Sequence, residues 1–374
     1  MKAPGAALTR RSALKALSAS AALLLAGCGV GAAPASSPAS SSASAKPLAS
    51  ASPSPAASPA PSTKPAAPGT ANAVKGAWVA LTANMMLWPT ALEAGYFDKY
   101  GINFNLQYIQ GSVTSVQSML AGEIDMASIA GSTVAAAQAA KQDIVMTLGY
   151  VVEYFWRIMA RPAIAGVDDL RGKTVAVTRI GNSDYFAWQI LASRKGWKLE
   201  DFKFAAANDT PGQVGLLANG QVDAIAVSPP NDVLAQKVGA HLVLDEAEYH
   251  LPNQAVGMSM PRTYLVQNRP KALAVAKATV EAIHRWKTDP PFAKNVIKKY
   301  LKQDDQAFID NGYEAYARMF QEKPYPSTPG FESVIEEVSA QTPAAKSVKP
   351  EQCMDTSLMK ELEDSGFLKQ IFGL

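Results

Sequence analysis

Two stretches carry small polar residues at the spacing that could hold a ligand. Asp125-Met-Ala-Ser-Ile129 reads as a short inner strand, and Gly131-Ser132-Thr133 follows it at the start of a helix. The first N–H groups of a helix have no partner inside it, so hydroxyls and small residues beside them make a place for a polar group. The strand is led in by Leu120-Ala-Gly-Glu-Ile-Asp125, where Gly122 can supply the left-handed turn that stops the preceding helix. Much the same phrase recurs as Leu217-Ala-Asn-Gly-Gln-Val-Asp223, then Ala-Ile-Ala-Val and Ser228-Pro-Pro-Asn231. The binding role falls on Ser132 and Thr133. Asp125 and Asp223 shape the turns and are the positions least expected to touch a ligand.

One such phrase is a strand–loop–helix unit; two imply similar lobes with a site between them. Val79-Ala-Leu-Thr82 overlays Val175-Ala-Val-Thr178 at an offset of 96, and Gly122–Asp125 overlays Gly220–Asp223 at 98. Ala77–Thr82 reads as the first strand of one lobe and Lys173–Thr178 as that of the other. Tyr154–Ala160 reads as the last strand before a crossing at Arg161-Pro162-Ala-Ile-Ala-Gly166, and Leu251-Pro252-Asn253 as the crossing back. Thr210-Pro211 is expected to cap and start a helix. From Arg262 onward the pattern is helical. The expected organisation is one lobe over 74–161 and 254–374 and a second over 162–253. The fold class is α/β: two mixed, mostly parallel sheets flanked by helices. Ligands in such sheets sit at the carboxyl ends of the strands, so four or five loops should surround one interlobe cleft.

The N-terminal 73 residues belong to neither lobe. Arg10 and Arg11 precede an apolar run, Ala16 to Ala26, too short to cross a bilayer with ease. This is a secretory signal peptide, expected over 1–27. It ends in Leu25-Ala26-Gly27-Cys28, which resembles a bacterial lipobox and implies cleavage before Cys28 and acylation of its thiol. Thr9-Arg10-Arg11-Ser-Ala-Leu14-Lys15 also resembles a twin-arginine export signal, although Ala13 stands where a bulky apolar residue is usual. Both export routes stay open. The span 28–73 is an Ala/Ser/Pro-rich tether, expected to be disordered because it has nothing to bury. As a flexible coil its reach is about 35–40 Å.

Composition removes several functions. The net charge is +3, but Lys2, Arg10, Arg11 and Lys15 fall in the signal peptide, which leaves about −1 for the rest. No basic surface for nucleic acid is indicated. The two cysteines, Cys28 and Cys353, exclude a disulfide framework and a cysteine-based zinc site. His241, His250 and His284 show no metal spacing, so neither metal nor cofactor is expected. There is no GxxxxGK[ST] loop to hydrolyse ATP.

Four segments in order resemble one family. They are Glu93-Ala-Gly-Tyr-Phe-Asp-Lys-Tyr-Gly-Ile102, Gly111 with Leu120–Asp125, Asp169-Leu-Arg-Gly-Lys-Thr-Val-Ala-Val177, and Leu217–Asp223. The family is the solute-binding proteins of ABC importers for nitrate, sulfonates, taurine, bicarbonate and thiamin-pyrimidine precursors. The resemblance runs from about Trp78 to Met260. It implies a type II periplasmic-binding-protein fold, a monomer closing on a small solute, a permease partner, and ATP hydrolysis by a separate subunit.

The resemblance also implies where the ligand sits: on the loops after the strands. From the first lobe these give Thr82, Asn84, Met85, Ser112, Gly131, Ser132 and Thr133. From the second they give Thr178, Gly181, Asn182, Ser183, Asp184, Tyr185, Ser228 and Asn231. The competing role for Ser132, Ser183 and Asn231 is helix capping. Of the aromatics Trp88, Tyr154, Phe155, Trp156 and Tyr185, the cleft is expected to receive Tyr154 and Tyr185. Phe155 and Trp156 are assigned to the core, because neighbouring strand residues face opposite ways. Arg179 could pair with a carboxylate or sulfonate, whereas Glu153 and Asp184 could accept from an amine or amino-heterocycle. The solute is thus a sulfonate, a nitrate-like anion, an aromatic acid or a pyrimidine-like molecule. Two other functions compete. A tethered sensor would report the ligand to a signalling partner. An enzyme resembling the pyrimidine-synthesising relatives would need their cysteine-rich motif with histidines, and Cys353 alone does not supply one.

Overall fold

Short runs of small and β-branched residues set the strands, and glycine or proline ends them. The computed structural model describes residues 72–374; the signal peptide, Cys28 and the tether up to residue 71 lie outside the described residues. The strands are β1 (Ala73–Trp78), β2 (Asn103–Tyr108), β3 (Met126–Ile129), β4 (Ile144–Glu153) and β5 (Arg157–Ala160), then β6 (Thr174–Val177), β7 (Lys203–Ala206), β8 (Ala224–Val227), β9 (His241–Asp245) and β10 (Pro252–Pro261). Among them run α1 (Leu87–Glu93), α2 (Tyr96–Lys99), α3 (Ser112–Leu120), α4 (Gly131–Ala139), α5 (Ser183–Lys195), α6 (Thr210–Ala218) and α7 (Asn231–Lys237). The C-terminal part adds α8 (Arg262–Gln267), α9 (Arg269–Thr288), α10 (Pro290–Leu301), α11 (Gln306–Met319), α12 (Thr328–Ser339), α13 (Pro350–Cys353), α14 (Ser357–Asp364) and α15 (Phe367–Phe372).

The strands form two five-stranded sheets, ordered β2-β1-β3-β10-β4 and β7-β6-β8-β5-β9. The two orders match position by position. In each, three parallel strands are followed by one antiparallel strand. That antiparallel strand arrives from the other lobe: β5 leaves the first sheet to complete the second, and β10 returns to complete the first. β3 and β8 are wholly buried, as inner strands covered on both faces should be.

This exchange corrects the expected lobe boundary. Residues 157–161 belong to the second lobe, because Arg157–Ala160 pairs with β8 and β9. The first crossing is Tyr154–Trp156, not the proline-bearing segment 161–166, and β10 already begins at Pro252. Proline and glycine marked a turn within the second lobe, while the true crossing carries aromatics. β1 also begins at Ala73 and ends at Trp78, earlier than the expected 77–82.

Asp125 and Asp223 tie each repeat together. Asp125 Oδ2 accepts from the Lys75 N–H at 2.7 Å, and the Asp125 N–H returns to the Lys75 carbonyl at 2.9 Å. Asp223 does the same with Thr174, at 3.0 and 2.7 Å. Lys75 is therefore the counterpart of Thr174. The first strands are related by 99 residues, three more than the offset read from Val79 and Val175, so Thr82 is not the equivalent of Thr178.

The helical tail packs against the first lobe. Trp88 of α1 is fully buried and donates to Thr279 Oγ1 of α9 at 3.1 Å. Ser327, the N-cap of α12, accepts from the Gly330 N–H with its side chain and donates its own N–H to Gln254 Oε1 at 2.7 Å. That bond seats α12 on β10 and brings Glu337 toward the interlobe space. No helix among the described residues is long and apolar enough to cross a membrane.

Burial pushes the Asp223 carboxyl up, but Arg161 and the Thr174 N–H outweigh it and hold it below the usual carboxylate range. Its stabilising contribution is therefore present above the unfolded value and lost as pH falls through the folded one. Asp223→Ala should cost about 1.5–3 kcal/mol in urea unfolding at neutral pH, typical of a bond to a charged group. The gap to wild type should close on acidification; a gap that widens in acid would refute this role.

Candidate functional site

The carboxyl ends of the parallel strands of both sheets face one cavity of about 270 Å³. The loop after β1 and the starts of α3 and α4 line it from the first lobe; the loops after β6 and β7 and Ser228 after β8 line it from the second. The lobes meet across it. Thr82 Oγ1 donates to the Pro229 carbonyl at 2.9 Å and lies 3.0 Å from Ser228 Oγ. Thr82 has one hydroxyl hydrogen, so Ser228 must be the donor in the second contact. On the exposed side Gln110 donates to the Asn208 carbonyl at 3.4 Å; a partly buried bond runs from Gln189 of α5 to the Glu337 carbonyl at 3.3 Å.

Two bonds set the crossings side by side. The Tyr154 N–H donates to the Leu251 carbonyl at 3.3 Å, and the Glu246 N–H to the Trp156 carbonyl at 2.9 Å. Beneath them Arg157 pairs with Asp232 at 2.7 Å and Asp245 at 3.0 Å, and reaches Asn311 of α11 in the first lobe at 3.1 Å.

Around α5 the polar side chains form one network. Asn182 Nδ2 donates to Thr178 Oγ1 at 2.9 Å, and that hydroxyl donates to Asp184 Oδ1 at 2.9 Å. Asp184 Oδ2 accepts from the Thr178 N–H and from Gln213 Nε2, the latter at 3.0 Å. Asp184 is 2% exposed. Burial pushes its carboxyl from 3.8 up to about 6, against the opposing hydrogen bonds from Thr178. Asp184 thus spends its acceptors on the chain itself and fixes the loop that presents Asn182 and Ser183.

A family model described as NMT1/THI5 like matches residues 83–293, more than half of the chain. The chain belongs to the NMT1/THI5-like family. A curated relative from Brucella abortus strain 2308, described only as a binding protein, is 23% identical over 217 residues, covering 57% of this chain and 67% of that one. Among solved structures, the periplasmic aliphatic sulphonate binding protein SsuA of Escherichia coli is similar with a TM-score of 0.61 at 17% identity, covering 76% of this chain and 92% of that one. The periplasmic nitrate-binding protein NrtA of Synechocystis PCC 6803 gives 0.63 at 13%, covering 79% and 89%. The fold is thus the two-lobed periplasmic-binding-protein fold.

In this NMT1/THI5-like chain, many of the expected site residues meet at the cavity. Thr82, Asn84, Met85, Ser112 and Thr133 line it from the first lobe, and Thr178, Asn182, Ser183, Asp184 and Ser228 from the second. Ser132 and Tyr154 line a small adjoining chamber, with the Tyr154 hydroxyl 3.1 Å from Ser333 Oγ on α12. The remaining six line neither space. Gly131 packs against β10, where a Cβ would lie 2.3 Å from the Gln254 carbonyl. Glu153 lies beside His250 at the outer end of the crossing, 3.4 Å away. Arg179 and Gly181 are exposed in the turn before α5. Tyr185 packs on Phe204 within the second lobe, ring centroids 4.9 Å apart. Asn231 is buried at the start of α7. Capping does not explain the hydroxyls: the N-caps of α4, α5 and α7 are Ala130, Asn182 and Pro230, and none makes a side-chain cap.

Two assignments are revised. Phe155 is buried in the hydrophobic core as expected, with Trp156 packed against it, but the two also line the cavity as a stacked pair, centroids 5.0 Å apart. Strand alternation is the wrong reason for placing them in the core: residues 154–156 are the crossing and no strand. The cap of α6 is Asp209, which accepts from the Gly212 N–H at 2.7 Å, not Thr210. Asn208, Asp209, Thr210 and Gln213 therefore reach the cavity unforeseen, as do Tyr108 and Gln110. The signal is present in the sequence, since both groups follow a strand and lead into a helix, as the loops that carry Ser112 and Thr133 do.

The raised Asp184 value gives a pH test. Folding favours its protonated form, so its contribution is complete below about pH 4 and is lost as pH rises through about 6. Melting temperatures of wild type and Asp184→Asn should diverge in that window, wild type losing ground as pH rises, and run parallel above about pH 7. Wild type gaining on the variant over that range would contradict the burial argument.

Proposed function

We propose that this chain captures a small solute between its lobes and delivers it to the permease of an ABC importer whose ATPase is a separate subunit. The observation that carries this reading is the cavity lined by strand-end loops of both lobes, with Thr82 and Ser228 bonded across it. A solute touching both walls favours the closed arrangement by its contacts to each, and the two short crossings permit hinge motion. Membership in the NMT1/THI5-like family supports the reading, as do neighbours named for sulphonate and nitrate binding.

The lipobox-like Leu25–Cys28 and the tether after it complete the proposal. The protein is exported, carries lipid on Cys28, and works as a monomer held at the outer face of a membrane. Neighbours named for solute binding support the reading of a binding protein rather than an enzyme.

A thermal-shift screen of sulfonates, nitrate, aromatic carboxylates, amines and pyrimidines should find a solute that raises the melting temperature with the logarithm of its concentration. Thr133→Val and Asn182→Ala should each weaken that solute by about fivefold or more, the loss of roughly one hydrogen bond. Calorimetry with unchanged affinity in both variants would sink the site assignment. Cys28→Ser should move the protein from the membrane fraction to the soluble extracytoplasmic fraction, and persistence at the membrane would refute the anchor.

A further inference from the structure

The charges on the cavity wall narrow the solute, on the footing that the cleft captures one. The charged side chains lining the main cavity are Asp184 and Asp209, and no lysine, arginine or histidine lines it. Arg179, the candidate partner for an anion, is exposed outside it. Asp184 and Asp209 also stand at the starts of α5 and α6, so the positive ends of both helices are already met by the chain's own carboxyls. The starts of α3 and α4 hold no acid. The first-lobe wall therefore suits an acceptor atom, and the far side does not suit a negative charge.

A chamber of about 10 Å³ adjoins the cavity. Ala130, Phe155, Trp156, Ser183 and Ala255 line both spaces. Glu337 forms part of its wall and is 6% exposed. Asn253 Nδ2 donates to Glu337 Oε1 at 3.2 Å, and among the described residues no cationic side chain pairs with this carboxyl. Burial holds it well above the ordinary carboxylate range. A second unmet group lies in the main cavity: Asn84 is 2% exposed, and its Oδ1 has no partner. Buried polar groups in native proteins are paired as a rule, so an orphan on a cavity wall points to a ligand that completes it.

We propose that the solute is a small, flat organic nitrogen compound that places an –NH2 or –NH3⁺ group in the chamber against Glu337 and its ring against Phe155 and Trp156. The chamber has about the room of one water, which suits an amino group and excludes the three oxygens of a sulfonate. A cation there would gain the charge-assisted bond that no residue of the chain supplies. An anion in the same cleft would face Asp184 and Asp209 and no countercharge. Asn84, whose amide offers both a donor and an acceptor, would take the remaining polar edge of the ring.

Calorimetry and thermal shift on the full-length protein test this with four probes: benzamidine and 4-aminopyrimidine as donors, nitrate and benzenesulfonate as anions. A donor probe should bind saturably, while the anions leave the melting temperature unchanged up to about 10 mM. Glu337→Gln should weaken the donor probe by about tenfold or more, since the amide keeps the shape but cannot become the carboxylate that a bound cationic group would pair with. Asn84→Ala, at the other end of the ligand, should weaken it by about fivefold and stands in if Glu337→Gln does not fold. Saturable binding of an anion with no answer from the donors overturns the ligand class and leaves solute capture standing. So does a donor whose affinity is unchanged in both variants. Silence from all four probes, in a protein that responds only to a sulfonate or carboxylate of the wider screen, overturns the ligand class alone; silence across that screen overturns both readings.

Discussion

Each sheet is completed by a strand that the other lobe sends. β5 can pair with β8 and β9 only if the chain leaves the first lobe directly after β4, and β10 can pair with β3 and β4 only if it returns directly after β9. The crossings must then be short and adjacent, and hydrogen bonds between Tyr154 and Leu251 and between Glu246 and Trp156 tie them together. The parallel strands of both sheets consequently end toward a shared space. The cleft is a product of this exchange, and the first crossing supplies its aromatic wall, Phe155 and Trp156.

The carboxyls that shape the lobes and the cleft fall into two kinds. Asp184, Asp125 and Asp223 look similar in sequence terms, as acids at loop ends, but each is consumed by backbone N–H groups or neighbouring side chains and sets the shape of a turn. Glu337 differs because α12 carries it in from the tail, far along the chain from every loop of the cleft, and gives it one amide partner instead of a cation. A buried carboxyl with a single neutral donor is costly to ionise, and a cationic or N–H-bearing neighbour relieves that cost. The anchoring of α12 through Ser327 and Gln254 therefore matters to the cleft as much as the strand-end loops do.

Much of the architecture was legible because it is repeated locally. Gly122–Asp125 and Gly220–Asp223 mark the same turn twice, and the turn geometry is dictated by the residues within it. The same logic placed Thr82, Asn84, Thr133, Thr178, Asn182 and Ser183 at loop ends that do converge. It failed where a position depends on pairing rather than on pattern. Arg157–Ala160 has the same apolar character whichever sheet takes it, and the Arg161–Gly166 turn resembles a linker. Phe155 and Trp156 obey strand alternation only if they belong to a strand.

By itself, then, the sequence determined the α/β class, the two-lobed repeat and the loops that border the cleft, since periodicity and turn chemistry act over a few neighbouring residues. Only the tertiary structure decided which lobe owns β5, that Arg179 stays in solvent, and that Glu337 stands beside the stacked Phe155 and Trp156. Each of these joins residues that are distant in the chain or fixes the direction of a side chain. Both depend on how the sheets and the helical tail pack, which no local pattern encodes.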